Sequence, residues 1–225
     1  GPTYPESFNT FDGQGIPDSF NQVPLRNARQ AGTDALVLGI GICDLEQDLV
    51  VEFARWDIRT ERESVEFITV HSYQRFEAEL RRRITLEGRS VISETRLINR
   101  GAGHLPVSWF PHPFFPQPDH PELCALSIPH GMPDNPGYMM GANGFIRRRG
   151  KPEKGGHFQA LPHSASTPLT VLQRHEKLGI VAGRTSYVPS CFPIWGNEAT
   201  FSWEPYFERT AAAGETLRWS VEYHF

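Results

Sequence analysis

The chain has 225 residues, enough for one domain with a sizeable core, and its formal net charge is −4. That balance gives no electrostatic reason to expect binding to nucleic acid or to an anionic membrane. No apolar run approaches a transmembrane span, and no signal-peptide core opens the chain. We therefore expect a single cytoplasmic domain over residues 1–225. Because Gly1-Pro2 has the form of a cloning remnant, we also expect that a native N-terminal segment could precede it.

Cysteine and histidine spacing argues against a metal site. The three cysteines are far apart and form no Cys-x-x-Cys pair, which is typical of reduced core cysteines. The irregular segment 116–166 carries four histidines, but no two of them have the i, i+2 or i, i+4 spacing that places imidazoles on one face; they are His120, His130, His157 and His163. The His-x-His motif of a cupin-like metal enzyme is also absent. The sequence predicts neither a metal nor another cofactor.

Turn-forming and β-forming residues dominate the composition, with 20 Gly, 19 Pro and 12% aromatic residues. This combination favours many short strands, and no helical period extends beyond about ten residues. Residues 8–22 are predicted as a polar loop, in which Asp12, Asp18, Asn21 and Gln22 either face a ligand or serve turn chemistry. Further strands and hairpins are predicted over 35–42, 47–56, 65–73, 75–86, 91–99, 169–181, 187–195, 199–207 and 217–225. The predicted fold class is all-β, a large antiparallel β-sandwich.

Arg82 breaks the alternation of the strand predicted over 75–86. Phe76, Ala78, Leu80 and Ile84 share its apolar face, and Arg82 falls on that face as well. An inward charge must be paired or must line a polar cavity. Arg82 is therefore a candidate binding residue, and the alternative is a residue near the strand end whose charged head reaches solvent.

A strand that starts at Leu105 runs into a Pro-His-Pro corner. Pro111 and Pro113 fix their own φ angles and restrict the residue before each of them. His112 is thus held on a stiff backbone, which suits a side chain that must donate a proton near neutral pH. The alternative is a corner histidine that is hydrogen-bonded to a carbonyl.

Common catalytic and nucleotide-binding motifs are missing. Gly-x-Ser-x-Gly, Gly-x-Gly-x-x-Gly and the P-loop do not occur. What remains is acid–base chemistry by a histidine and a carboxylate without a cofactor. His112 and Glu204 are the leading pair, because alternation over 199–207 places Glu204 on the polar face of its predicted strand.

Two stretches resemble the aldose 1-epimerase (galactose mutarotase-like) pattern. The first is Arg96-Leu-Ile-Asn-Arg-Gly-Ala-Gly-His-Leu-Pro-Val-Ser-Trp-Phe-Pro-His-Pro-Phe-Phe115, which ends in a His-Pro-Tyr-Phe-type motif. The second is Phe201-Ser-Trp-Glu-Pro-Tyr206, followed by Gly214-Glu and Trp219-Ser-Val-Glu-Tyr. The resemblance implies a β-supersandwich whose concave face binds a small-molecule sugar. It also implies that His112 protonates the ring oxygen and that Glu204 removes the anomeric proton.

The binding residues of that family are less well matched. An early His-Gly is absent, and His71 is a candidate replacement, although its strand position favours a core role. Asp134 is a candidate for the mid-chain aspartate that binds sugar hydroxyls. Trp109 and Trp195 are candidates for stacking on a sugar ring, and the alternative for each is a packed indole. With Arg82 and Asn21, these residues form the predicted substrate-binding set.

Two functions from different classes follow. The first is an aldose 1-epimerase-like isomerase that interconverts the α and β anomers of an unidentified sugar. The second is a non-catalytic carbohydrate-binding module on the same scaffold. The absent His-Gly favours the module, and the presence of both His112 and Glu204 favours the enzyme. The sequence leaves the sugar and the oligomeric state open.

Overall fold

A computed structural model describes residues 17–27, 32–150 and 156–225, so Asp12 of the predicted N-terminal loop lies outside it. The described residues form strands and turns, with no helix among them. In chain order the strands are β1 (Asp18–Ser19), β2 (Asp34–Val37), β3 (Gly41–Asp44), β4 (Leu49–Phe53), β5 (Asp57–Thr60), β6 (Ser64–Tyr73), β7 (Phe76–Glu87), β8 (Ser90–Asn99), β9 (Leu105–Pro111), β10 (Phe115–Pro116), β11 (Glu122–Leu126), β12 (Tyr138–Met140), β13 (Ile146–Arg148), β14 (His157–Ala160), β15 (Thr170–His175), β16 (Gly179–Thr185), β17 (Pro193–Gly196), β18 (Thr200–Trp203), β19 (Phe207–Ala211) and β20 (Thr216–His224).

The strands form one large sheet and three small ones. The large sheet has the order β12-β13-β11-β15-β16-β20-β8-β7-β6-β5, and the small sheets are β1-β9-β19, β10-β18-β17-β14 and β2-β3-β4. All strand pairs in these sheets are antiparallel. The predicted all-β antiparallel sandwich is confirmed. Within the described ranges there is no helix with the length and apolarity needed to span a membrane.

Aromatic side chains join the large sheet to the two small sheets that carry the candidate site. Trp219 of β20 stacks on Phe207 of β19 at 4.4 Å and meets Trp109 of β9 at 5.5 Å. Trp203 of β18 is fully buried against the same large sheet, where a Cβ at Gly183 would lie 2.5 Å from its ring. The core therefore lies between the large sheet and the small sheets, as expected for a sandwich.

The long strands are those whose alternation is strongest. The predicted strands over 65–73, 75–86, 91–99 and 217–225 correspond to β6, β7, β8 and β20, which are neighbours in the large sheet. One face of each packs on the core, and alternation therefore fixes their register. The predicted hairpin over 169–181 is β15 and β16, joined by a turn before Gly179.

Three predicted strands are wrong in extent. The apolar run 35–42 is split into β2 and β3 by a turn at residues 38–40. Gly39 in this turn and Gly41 at the start of β3 have φ angles of 80° and 132°. Only the last three residues of the stretch 187–195 lie in a strand, β17, since prolines cannot donate to a ladder. The stretch 199–207 is broken before Phe207, so that β18 and β19 belong to different small sheets.

Candidate functional site

The pairing of β9 with β19 explains why His112 and Glu204 meet. In this ladder Trp109 lies opposite Phe207, and Ser108 lies opposite Glu208. Continuing the same register past the ladder places Tyr206 opposite Phe110 and Glu204 opposite His112. Side chains at opposite positions of antiparallel strands project to the same face. The rings of Phe110 and Tyr206 accordingly stack at 4.5 Å.

The His112 imidazole and the Glu204 carboxyl are in direct contact. Nε2 of His112 lies 3.2 Å from Oε1 of Glu204, and the two side chains are 23% and 5% exposed. Burial lowers the pKa of His112 to about 4 and raises the pKa of Glu204 to about 8, an increase that the Ser202 hydroxyl opposes. Both pKa shifts favour the uncharged form of the side chain. Near neutral pH the pair therefore holds one proton and carries no net charge.

Backbone hydrogen bonds hold both members of the pair. The amide of His112 donates to the Pro17 carbonyl at 2.9 Å, which ties the Pro-His-Pro corner to β1. The amide of Glu204 donates to the Pro193 carbonyl at 3.0 Å, so Glu204 is anchored to β17. Glu204 lies directly after β18, and it is buried rather than on a solvated polar face. The His112 imidazole lies against its carboxyl group.

Aromatic rings surround the pair. The Phe114 ring stacks on the His112 imidazole, with centroids 4.1 Å apart and an interplanar angle of 2°. Trp195 meets His112 at 5.8 Å and Phe114 at 6.0 Å, each time edge to face. Trp195 is only partly buried, so the structure brings one predicted stacking residue to the candidate acid–base pair.

Arg82 is buried and ion-paired behind this site. Its guanidinium contacts the Asp18 carboxylate and the Thr95 hydroxyl, and Nη2 donates to Ser93 Oγ at 2.7 Å. Asp18 lies opposite Pro111, one residue before His112. Burial raises the pKa of Asp18 even though Arg82 opposes the shift. Arg82 therefore satisfies the pairing requirement of an inward charge, and its ion pair links β7 to β1.

His71 is a core residue. It is 4% exposed, and its Nε2 accepts a hydrogen bond from the Gly39 amide at 3.0 Å. Burial lowers the pKa of His71 to about 4. The imidazole therefore stays neutral and fixes the turn between β2 and β3. The structure therefore places His71 in a packing role and not at the predicted substrate contact, because its ring is nearly inaccessible to solvent.

Replacement of His71 by glutamine is expected to make the free energy of unfolding fall less steeply as the pH is lowered from 7 to 4. The pKa of folded His71 lies below the unfolded value near 6.5, so protonation favours unfolding. The neutral His71 imidazole makes its full contribution to the free energy of unfolding above pH 6.5. This contribution is lost as the pH falls towards about 4, a change of up to roughly 3 kcal/mol. Urea unfolding between pH 7 and 4 measures the difference. His112 titrates in both proteins, so equal slopes would show that His71 is not the group responsible.

Three further candidates have contacts other than those predicted. Trp109 is 1% exposed and packs against Trp219 and Tyr187 in the core, so its predicted sugar contact is replaced by packing. The Asn21 carbonyl oxygen accepts hydrogen bonds from Ser19 and Gln22, as in turn chemistry. The Asp134 side chain is 99% exposed and pairs with Arg149 at 3.3 Å.

The sequence patterns do not identify several residues that border the acid–base pair. Phe110, Phe114 and Tyr206 border the pair, and Ser202 lies on its face of β18. Their signal is position, since each is two residues from His112 or Glu204 and alternation puts such residues on the same face.

Solved structures with the same architecture include three that cover 93% of this chain. A galactose mutarotase related enzyme from Lactobacillus acidophilus superposes with a TM-score of 0.62 at 14% identity, over 83% of its own length. A galactose mutarotase-like protein from Lactobacillus casei gives 0.57 at 14%, over 84% of its length. The Slr1438 protein from Synechocystis sp. PCC 6803 gives 0.56 at 17%, over 77% of its length.

These comparisons define the fold of the chain as the galactose mutarotase-like β-sandwich, at low sequence identity. No protein-family model matches the chain, and no curated protein sequence matches it significantly. The resemblance implied by the two sequence motifs is thus confirmed for the fold.

Proposed function

We propose that the protein interconverts the α and β anomers of a sugar, with His112 and Glu204 as its acid–base pair. The observation that carries this proposal is the 3.2 Å contact between His112 Nε2 and Glu204 Oε1 in a largely buried, aromatic-lined site. The fold it shares with galactose mutarotase-like proteins supports the same choice. A free sugar is therefore the proposed partner.

The reaction acts on two oxygens that are bonded to the same carbon. It needs one protein group that donates a proton and another that accepts one. One group takes the proton from the anomeric hydroxyl while the other protonates the ring oxygen, and the C1–O5 bond breaks to give the open-chain aldehyde. Rotation about C1–C2 and the reverse proton transfers then close the ring on either face. A pair that holds a single proton has one donor and one acceptor throughout, so each cycle restores it.

Which member holds the proton decides the roles. Burial favours the arrangement with the proton on Glu204 and a neutral His112. The roles implied by the family resemblance need the proton on His112, as donor to the ring oxygen, and an ionised Glu204. The two arrangements differ only in the position of one proton along the hydrogen bond between them. Sugar hydroxyls that bind to the carboxylate would favour the second arrangement.

The direct test is magnetisation-transfer NMR of anomer exchange over neutral aldoses, sugar phosphates and uronic acids. We expect exchange faster than the uncatalysed rate for at least one sugar, in proportion to protein concentration. Exchange at the uncatalysed rate for every sugar would contradict the enzyme. Calorimetric binding without acceleration would instead support the second candidate, a carbohydrate-binding module. The partly exposed Trp195 beside the pair favours that candidate, because a stacking surface binds sugar without catalysis.

The pH dependence of the catalysed rate is expected to be bell-shaped. Below about pH 4 His112 gains a second proton and the pair has no acceptor, whereas above about pH 8 Glu204 loses the only proton and the pair has no donor. We expect a plateau between these values and about a tenfold fall per pH unit beyond them. The measurement is exchange NMR after subtraction of the protein-free rate, which itself varies with pH. A rate that keeps rising through pH 9 would exclude a one-proton pair.

A further inference from the structure

A partly exposed aromatic surface adjoins the acid–base pair. We call it the aromatic strip, and it consists of Phe114, Trp195 and Phe158. Phe114 stacks on His112, and Trp195 stands edge-on to both rings. The first two members therefore border the pair directly, and a sugar bound there would contact them.

Phe158 extends this surface by one strand. It lies on β14, the edge strand of its sheet, directly opposite Trp195 of β17. Opposite residues in an antiparallel pair project to the same face, so Phe158 is on the side of the sheet that carries Trp195. Its side chain is 56% exposed. A single exposed phenylalanine is common, and what distinguishes this one is its continuity with the site.

Strand spacing sets the length of the strip. Trp195 is also opposite Ser202 of β18, which shares its face with Glu204. Adjacent strands are about 4.8 Å apart, so Phe158 lies roughly 10 Å across the sheet from the strand that leads to Glu204. That distance exceeds one pyranose ring and accommodates two linked rings.

We propose that Phe158 forms a second sugar subsite and that the substrate is the reducing end of an oligosaccharide of at least two rings. The reducing ring would lie at His112 and Glu204, beside Trp195. The apolar face of the next ring would stack on Phe158, because aromatic side chains pack well against apolar surfaces. This inference rests on the proposed function for the placement of the reducing ring.

The test compares reducing disaccharides with the monosaccharide of their reducing unit. We expect Phe158→Ala to lower the catalysed exchange efficiency, kcat/KM, by about tenfold for a disaccharide and to leave the monosaccharide value unchanged. Phe53→Ala is the matched control, because Phe53 is 57% exposed and lies on β4 in another sheet. Equal loss on both substrates, or no loss on either, would overturn the subsite.

Binding calorimetry separates failure of the subsite from failure of the proposed function. If no sugar shows accelerated exchange, disaccharides should still bind about tenfold more tightly than monosaccharides, and Phe158→Ala should remove that difference. Equal affinity for the two sugars would overturn the subsite. If monosaccharide exchange is catalysed and Phe158→Ala changes nothing, the subsite is wrong and the acid–base pair stands.

Discussion

Replacement of Glu204 by glutamine is expected to lower catalysed anomer exchange by about 10²–10⁴-fold. That range is the usual contribution of a positioned general acid or base. Glutamine preserves the shape of the side chain and can still hydrogen-bond to His112, but its amide neither accepts nor donates a proton at working pH. Because the 5% exposed carboxyl carries a raised pKa, replacing it with a neutral group should not weaken the fold.

The control for this experiment is Glu198→Gln. Glu198 is an exposed glutamate just before β18, so this variant loses a carboxylate with no contact to His112. We expect wild-type exchange from Glu198→Gln and a matching deep loss from His112→Ala. Thermal unfolding of all three variants checks that the fold is intact. Retention of more than a tenth of the activity in folded Glu204→Gln would mean that another group moves the proton.

Replacement of Asp18 by alanine is expected to lower the free energy of unfolding by about 3–5 kcal/mol. This is the usual result of removing one partner of a buried ion pair, because the other charge remains buried without compensation. Asp18 is 22% exposed, but Arg82, the charge that remains, is only 7% exposed. Arg82 keeps its hydrogen bonds to Ser93 and Thr95, but these hydroxyls carry no charge. Urea unfolding at pH 7 gives the measurement.

Two comparisons make the Asp18 experiment decisive. Asp57→Ala breaks an exposed ion pair with Arg59, in which the side chains are 61% and 63% exposed, and should cost at most about 1 kcal/mol. Combining Asp18→Ala with Arg82→Met removes both charges and should recover part of the loss. If Asp18→Ala costs no more than Asp57→Ala, solvent reaches Arg82 and the pair does not anchor β1.

The sequence predicts the central strands of the large sheet, but it misses the strands at both edges. These are β5 at one edge and β11, β12 and β13 at the other, and the last three lie in the segment 116–166 that the sequence describes as irregular. Strong alternation identifies β6, β7, β8 and β20, because one face of each must pack on the core. The turn that splits the run 35–42 has a signal in Gly39 and Gly41, which an apolar count alone overlooks. Strands of two to four residues, such as β1, β10 and β14, have too few side chains for any period to be read.

For the candidate site as well, local features can be predicted from the sequence and long-range pairing cannot. The sequence makes His112 a candidate by its rigid corner and Glu204 a candidate by alternation, and each of these is a local property. It does not reveal that β9 pairs with β19, since pairing partners are set by the whole fold. Without that pairing, neither the contact between His112 and Glu204 nor the burial that shifts their pKa values follows from the sequence. Trp109 and His71 show the converse, because polar or aromatic character alone does not tell a binding residue from a core residue.

The register of β9 and β19 makes the candidate site unusually sensitive to insertions and deletions. Substitutions within these strands do not change which face of the sheet each side chain projects from. Loss or gain of one residue between Leu105 and Pro111 would turn His112 to the opposite face, although the ladder itself could re-form one step along. The same holds for β19 and Glu204. Chain length in these two strands therefore constrains the chemistry more tightly than the identity of most residues in them.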